Sequence, residues 1–196
     1  MDTKRQRGVT LIELMFAIAI LSIVLGVGVP SFIGIIQTNR MAALNNDVMT
    51  AIHRARSEAV KMRTNTVLCP TAAPAAAAPA CGGTLTQGWV VFSDVNGNGA
   101  IDAPADLVLL THEAILGNMT VNADGTHLSF ASTGFAQTIP ALGINANNVL
   151  ICDDRGHSDV SGQSTARGIF VSPTGRPQVL RDFADVSNVF AAVGGC

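Results

Sequence analysis

Charge is scarce in this sequence. Only 13% of the 196 residues are Asp, Glu, Lys or Arg, while 48% are apolar and the mean hydropathy is +0.37. A chain of this kind is too apolar to stay disordered and too poorly charged for a typical soluble enzyme. Twelve basic residues stand against fourteen acidic ones, and the net charge of −2 gives no whole-chain attraction for nucleic acid. Catalytic signatures are missing as well: there is no nucleophile elbow, no HExxH pair, no P-loop and no dinucleotide fingerprint. His53, His112, His127 and His157 are scattered along the chain, and no CxxC pair is present to found a zinc site. These absences predict a protein that is not an enzyme and holds no cofactor.

One absence is local. No charged residue lies between Glu13 and Arg40, and residues 14–36 read LMFAIAILSIVLGVGVPSFIGII, longer than the roughly 20 residues with which a helix crosses a bilayer. Before it, Lys4, Arg5 and Arg7 stand against Asp2, a cationic start that stays on the cytoplasmic side and sends the rest of the chain outward. An ordinary secretory signal has a shorter apolar core ending in a small-residue cleavage site. A plain anchor fits no better, because Glu13 opens the apolar run while Gly26, Gly28, Pro30 and Gly34 punctuate it. A carboxylate at the bilayer centre costs about 2.5–3.5 kcal/mol and much less at the interface. An acid held in apolar surroundings therefore implies a partner for its charge.

The run Arg7-Gly8-Val9-Thr10-Leu11-Ile12-Glu13-Leu14 resembles the class III signal of type IV prepilins and pseudopilins. The resemblance implies that a membrane-bound prepilin peptidase cuts after Gly8 and that Val9, standing where the family usually has Phe, becomes the N-methylated mature N-terminus. It makes Glu13 the acid five positions into the mature chain, and it puts Pro30 where pilins commonly carry a helix-kinking proline. The implied partners are the inner membrane and then other minor and major pilins, packed through the N-terminal helix. In that low-dielectric packing, Glu13 pairs with a neighbouring subunit's α-amino group and selects register.

Beyond the apolar run the periodicity changes. Met41, Leu44, Val48, Ile52, Ala55, Ala59 and Met62 recur every three or four residues, laying one apolar stripe along a helix that packs on a head domain, while Arg40, Asp47, Arg54, Arg56, Glu58, Lys61 and Arg63 supply the wet face. Residues 40–63 hold five basic and two acidic residues, a +3 stem whose simplest reading is a solvated face attracted to lipid headgroups.

From residue 64 onward, β-branched and aromatic runs bounded by Gly, Pro, Asn and Asp predict antiparallel strands at 66–69, 89–92, 107–111, 128–130, 149–152, 168–171 and 179–180. No further helix is expected. The fold class is thus α+β and pilin-like, a long N-terminal helix with an antiparallel β head. The expected organisation is a leader at 1–8, a membrane and polymerisation helix at 9–37, an amphipathic stem at 38–63 and a head at 64–196. Cys69, Cys81, Cys152 and Cys196 all fall on the exported side, where disulfides persist. Of three possible pairings, Cys69–Cys81 is favoured because it closes the Ala/Pro-rich loop at 70–80 for about 3 kcal/mol. That choice leaves Cys152–Cys196 to pin the C-terminus.

The stretch Gly88-Trp89-Val90-Val91-Phe92-Ser93-Asp94-Val95-Asn96-Gly97-Asn98-Gly99, following a helix ending in Arg56-Ser57-Glu58-Ala59-Val60-Lys61, resembles the GspH/FimT group of minor pilins and pseudopilins. The surroundings of Cys69 and Cys152, with Ser172-Pro173-Thr174-Gly175-Arg176, are more like the type IV pilus branch, FimT and FimU, than the type II secretion branch. Asp94, Asn96 and Asn98, with Asp102 nearby, look like the first half of a calcium loop, but Ala105 stands where a bidentate Glu is needed. A hairpin turn capped by Asp94 is the simpler reading.

Some FimT-like pilins bind DNA through a basic GRxR motif. Gly175-Arg176 supplies its first half, with Arg167 and Arg181 nearby as further candidate contacts. Residues 64–196, however, hold four Arg and no Lys against ten acidic residues, a charge of −6 that opposes phosphate binding. The sequence is read as a minor type IV pilin that serves pilus initiation or the tip complex. Its alternatives are a GspH-like minor pseudopilin of type II secretion and a DNA-binding tip pilin for transformation. The expected location is the bacterial inner membrane, single-pass with a periplasmic head, and then the pilus or pseudopilus.

Overall fold

The computed structural model describes residues 8–196; of the expected leader at 1–8, all but Gly8 lies outside the described residues, as do the side chains of Val27, Pro30 and Ser31. The chain divides into two compact units, Met1–Arg40 and Met41–Cys196. Helix α1 runs Leu11–Met62 and contributes its first part to one unit and its last two dozen or so residues to the other.

In the second unit the predicted stripe on α1 is a buried face: Met41, Leu44, Val48, Ile52, Ala55 and Ala59, together with Ala51, belong to the main core. Glu58, expected on the wet face, is instead buried. Its carboxylate lies 3.4 Å from both Arg54 and Lys61. Helical spacing puts all three groups within reach of one another, so two basic side chains flank the buried carboxylate at the edge of the core.

Ten strands follow: β1 Asn65–Pro70, β2 Trp89–Asp94, β3 Val108–His112, β4 Thr120–Ala123, β5 Leu128–Phe130, β6 Ala136–Gln137, β7 Asn148–Cys152, β8 Asp159–Val160, β9 Gln163–Val171 and β10 Pro177–Asp182. They form two sheets, ordered β3-β2-β1-β5-β6 and β10-β9-β7-β4, with β8 added to β9. Every strand pair is antiparallel.

The period of two along the strands sorts side chains between layers. Leu68, Val91 and Phe130 from one sheet and Val149, Ile151 and Ile169 from the other join the α1 stripe in a single core. On the opposite faces, Val67, Cys69, Val90 and Phe92 pack with Ile139, whereas Leu150, Cys152 and Ala166 pack with a second helix. The central strands are therefore buried on both sides, which is why they read as unbroken apolar runs.

That second helix corrects the expectation of none after residue 63. Helix α2, Phe183–Val193, follows β10 directly, with the Asp182 carboxylate accepting a hydrogen bond from the Ala184 amide as N-cap and Gly194 in the left-handed conformation closing it. Its sequence, FADVSNVFAAV, is poor in strong helix formers, and propensity alone argues weakly for it. Burial of Val186 and Val189 against the sheet supplies what propensity does not.

Candidate functional site

At the start of α1, the Thr10 hydroxyl accepts a hydrogen bond from the Glu13 amide at 3.3 Å, and the Thr10 carbonyl accepts from the Leu14 amide at 3.1 Å. Thr10 is thus the N-cap and Glu13 the acid three residues on, the spacing of a capping box, and its carboxylate sits in the first turn, where the helix dipole favours negative charge. Gly8 and Val9 precede the helix and are exposed. Every described large apolar side chain from Val9 to Ile35 is at least half exposed within its unit. At Gly26, Gly28 and Gly34 an added Cβ would meet nothing within 4 Å.

Among the described residues no helix is long and apolar enough to cross a membrane. The uncharged sequence of residues 14–36 runs through Val27, Pro30 and Ser31, whose side chains are outside that description.

In the head, disulfides join Cys69 to Cys81, with Cα atoms 5.4 Å apart, and Cys152 to Cys196 at 5.8 Å. The first closes the loop after β1 and the second ties the end of the chain to β7. No cysteine is left free.

The Asp94 segment is a turn held by its own carboxylates. Asp94 is fully buried and accepts hydrogen bonds from the amides of Gly97, Asn98 and Gly99 at 2.8, 3.1 and 2.9 Å. Asp102 accepts from the side-chain amides of Asn96 and Asn98 at 3.0 and 2.7 Å, and these two bonds hold its carboxyl below the usual range. Asp106 accepts from the amides of Val95 and Asp102. The carboxylate oxygens named here receive N–H donors, and among the described residues no group of three His, Cys, Asp or Glu converges as a metal site.

The three candidate DNA-contacting arginines do not form one group. Arg167 lies on β9 opposite Ile151 of β7, and its guanidinium turns back to donate to the carbonyls of Ser164 and Ala166. Burial lowers its pKa, and the nearby charges of Arg181 and Arg155 push in the same direction against Asp153. Arg155 was not singled out from the sequence, although it follows Asp153-Asp154. It grips Asp153 with Nε at 3.0 Å and Nη2 at 2.6 Å. Arg176 lies instead on the β9–β10 hairpin.

That hairpin is stapled by Arg56, also unforeseen as a structural residue. Its Nε donates to the Gly134 carbonyl at 3.0 Å and its Nη2 to the Thr174 carbonyl at 3.3 Å. Gly175 adopts φ +74, and a Cβ there would fall 2.1 Å from the Gly134 oxygen, so only glycine fits.

Three of the four histidines are engaged locally, and His53 is exposed on α1. His112 stacks on Trp89 at 3.8 Å, and its Nε2 lies 3.7 Å from Asp47. His127 is buried, accepts the Ile139 amide at Nε2, and has its pKa lowered by that burial. His157 contacts Ser164 and Ser187 with its two ring nitrogens, each at 2.8 Å, while stacked on Phe183. Ser187 in turn donates to the Phe183 carbonyl. Both imidazole nitrogens are therefore occupied by hydroxyls, and neither faces a carboxylate that would orient the ring as a general base.

Residues 44–175, more than half of the chain, match the family model described as type II transport protein GspH. The chain belongs to the GspH family. Residues 3–29 match the prokaryotic N-terminal methylation motif, so this GspH-family chain carries a prepilin signal. Among solved structures it is similar to the type IV minor pilin FimU of Pseudomonas aeruginosa (strain PAO1), at 20% identity over 73% of this chain and 90% of that one, with a TM-score of 0.51. A second crystal form of FimU gives 21% identity over 73% and 91%, with a TM-score of 0.45. No curated protein matches. At this identity the likeness to FimU is one of fold, a long N-terminal helix with an antiparallel β head. The GspH match ends at Gly175, so Arg176, Arg181 and the whole of α2 lie beyond it.

Proposed function

We propose that this GspH-family protein is a minor subunit of a type IV pilus, held in the inner membrane by the first part of α1 with its head in the periplasm and then drawn into the filament. The observation that carries the reading is the first unit itself: a helix whose described large apolar side chains are exposed on every face, with Glu13 as the one acid in its uncharged run. Such a surface needs lipid or the same helix of other subunits to cover it. Prepilin peptidase cuts after Gly8 and Val9 becomes the methylated N-terminus. Glu13, already in the first turn, then meets a neighbour's α-amino group, while Pro30 lies within the packed helix. The protein acts by assembly and display rather than by catalysis.

The test is incorporation. Glu13→Ala and Glu13→Val are expected to leave the amount in membranes unchanged and to remove the protein from sheared pili. Normal levels of either variant in pili would refute the assembly role. Mass spectrometry of the mature chain is expected to find an N-methylated Val9.

A second reading, a minor pseudopilin of type II secretion, is favoured by the description of the matching family. A deletion strain separates the two: loss of twitching with intact secretion supports the pilus, and the reverse supports the pseudopilus.

A further inference from the structure

Where α1 begins its packing on the head, one imidazole bridges three elements. Trp89 opens β2 and lies opposite His112 at the close of β3. The His112 ring stacks on the Trp89 indole with centroids 3.8 Å apart and planes 10° from parallel, and its Nε2 faces the Asp47 carboxylate of α1 at 3.7 Å. The other ring nitrogen, Nδ1, lies 2.7 Å from the Glu113 carbonyl.

A carbonyl oxygen only accepts, so Nδ1 carries the proton of the neutral ring. Nε2 is then bare, and its lone pair faces a carboxylate, an arrangement of two acceptors that holds nothing. A proton taken up at Nε2 reverses this. The nitrogen becomes a charge-assisted donor to Asp47, and the imidazolium lies over the face of an indole, the aromatic ring that best holds a cation.

The charges around the ring all act in one direction. Asp47 on α1 and exposed Glu113 beside the ring are both acidic. Residues 64–93, which supply β1, the loop after it and nearly all of β2, hold no charged side chain, and neither does β3 apart from His112. On α1 the residues within one turn of Asp47, 43–46 and 48–51, are uncharged too. No basic side chain of these stretches opposes a protonated ring.

The same junction holds the two buried side-chain atoms that lack a hydrogen-bond partner among the described residues, Trp89 Nε1 and Asn45 Oδ1. Asn45 stands two residues before Asp47 on α1. The hold of these first turns on the sheet is thus incompletely satisfied, and one added ion pair changes it measurably.

We propose that His112 is a pH-sensitive clasp: protonated, it fastens the first turns of α1 in the head, through Asp47, to the β2–β3 edge, and deprotonated it releases them. Imidazole suits this task because it changes charge between about pH 5 and 8. The clasp acts within the head and does not depend on the filament role proposed above. Its gain is present at low pH and lost as pH rises, opposite in sign to that of His127, whose burial disfavours its proton. Melting of the whole head mixes the two, so the clasp is read locally.

The test uses the full chain in detergent micelles. Trp89 is the only Trp and the chain has no Tyr, so intrinsic fluorescence reads this stack directly, a protonated imidazole in contact with an indole quenching its emission. Emission is expected to fall as pH is lowered from about 8 to about 5. His112→Gln is expected to abolish the fall, and His127→Gln to retain it. Asp47→Asn, at an exposed position, is expected to move the fall to lower pH while leaving the fold intact. Amide exchange in residues 42–50, corrected for the intrinsic rate, is expected to be about threefold slower in the unmodified chain than in Asp47→Asn at about pH 5.5, and equal at about pH 8. Emission independent of pH, or a fall that Asp47→Asn leaves in place, overturns the proposal. So does a fall that survives His112→Gln or vanishes in His127→Gln. Quenching with equal exchange in residues 42–50 overturns it as well, since His112 would then titrate without holding α1.

Discussion

The two parts of α1 use similar apolar residues and leave them in opposite states. Before Arg40, Leu14, Phe16, Ile20 and Ile23 are all more than half exposed, whereas after it Met41, Ile52 and Ala55 are completely buried. Hydrophobicity does not distinguish them; the availability of a partner within the chain does. From Met41 on, two sheets supply facing apolar surfaces. The first unit contains no strand among the described residues, and its side chains wait for a bilayer or for other subunits. The chain thus stores two kinds of burial, one satisfied on folding and one left for surfaces outside the chain.

The sharpest way to break this contrast is to place one carboxylate in each part. Ile151→Asp, on a β7 residue buried on folding, is expected to destabilise the head by about 4 kcal/mol or more, enough to unfold it, as read by thermal denaturation. Ile20→Asp is expected to leave the melting of the head unchanged and to reduce retention in membranes. Equal loss of head stability from both substitutions would erase the distinction.

The disulfides belong wholly to the second kind of region and sharpen the contrast further. Replacing Cys152 and Cys196 by Ser opens a separation of 44 residues, with an expected loss of about 4 kcal/mol in the chain-entropy model. Replacing Cys69 and Cys81 opens only 12, for about 3 kcal/mol. Denaturant midpoints measure both, and an inverted order would mean that native contacts of the Ala/Pro loop outweigh loop entropy.

Smaller effects follow within the head. Asp182→Ala removes the α2 N-cap and is expected to cost about 1 kcal/mol, seen as a lowered melting temperature and faster amide exchange in α2.

The smallest is a pH effect. Burial holds the folded-state pKa of His127 below its ordinary 6.5, so the unfolded chain takes up this proton first as pH falls. Its contribution is complete above the ordinary value and is lost as pH drops through it. The head is expected to melt at lower temperature at about pH 5 than at about pH 7.5, with His127→Gln reducing that difference. An unchanged difference would assign the dependence to other groups.

Much of this was legible in the sequence because the signals were strong or redundant. The β-branched and aromatic runs at Trp89, Leu128 and Val149, with the turn residues that bound them, specify β2, β5 and β7, and the stripe from Met41 to Ala59 specifies a buried helix face. Short edge strands such as β6 and β8, two residues each, carry too little pattern to be seen. Helix α2 was hidden because Val186, Ser187, Asn188 and Val189 favour other conformations in isolation, and only the sheet beneath them makes helix the better choice. Glu58 looked solvated because its two cationic neighbours are ordinary surface residues when read singly.

At the N-terminus, the Thr10 and Glu13 spacing, the uncharged run and the processing motif are properties of consecutive residues. The sequence alone determined them, since capping, hydropathy and peptidase recognition depend on local order. Only the tertiary structure decided that Arg56 would staple Gly134 to Thr174, that Arg167 would stand with Arg155 and Arg181 while Arg176 stood apart, and that His112 would stack on Trp89 and face Asp47. Those relations join residues far apart in the chain, and strand register, which local sequence specifies weakly, is what brings them together.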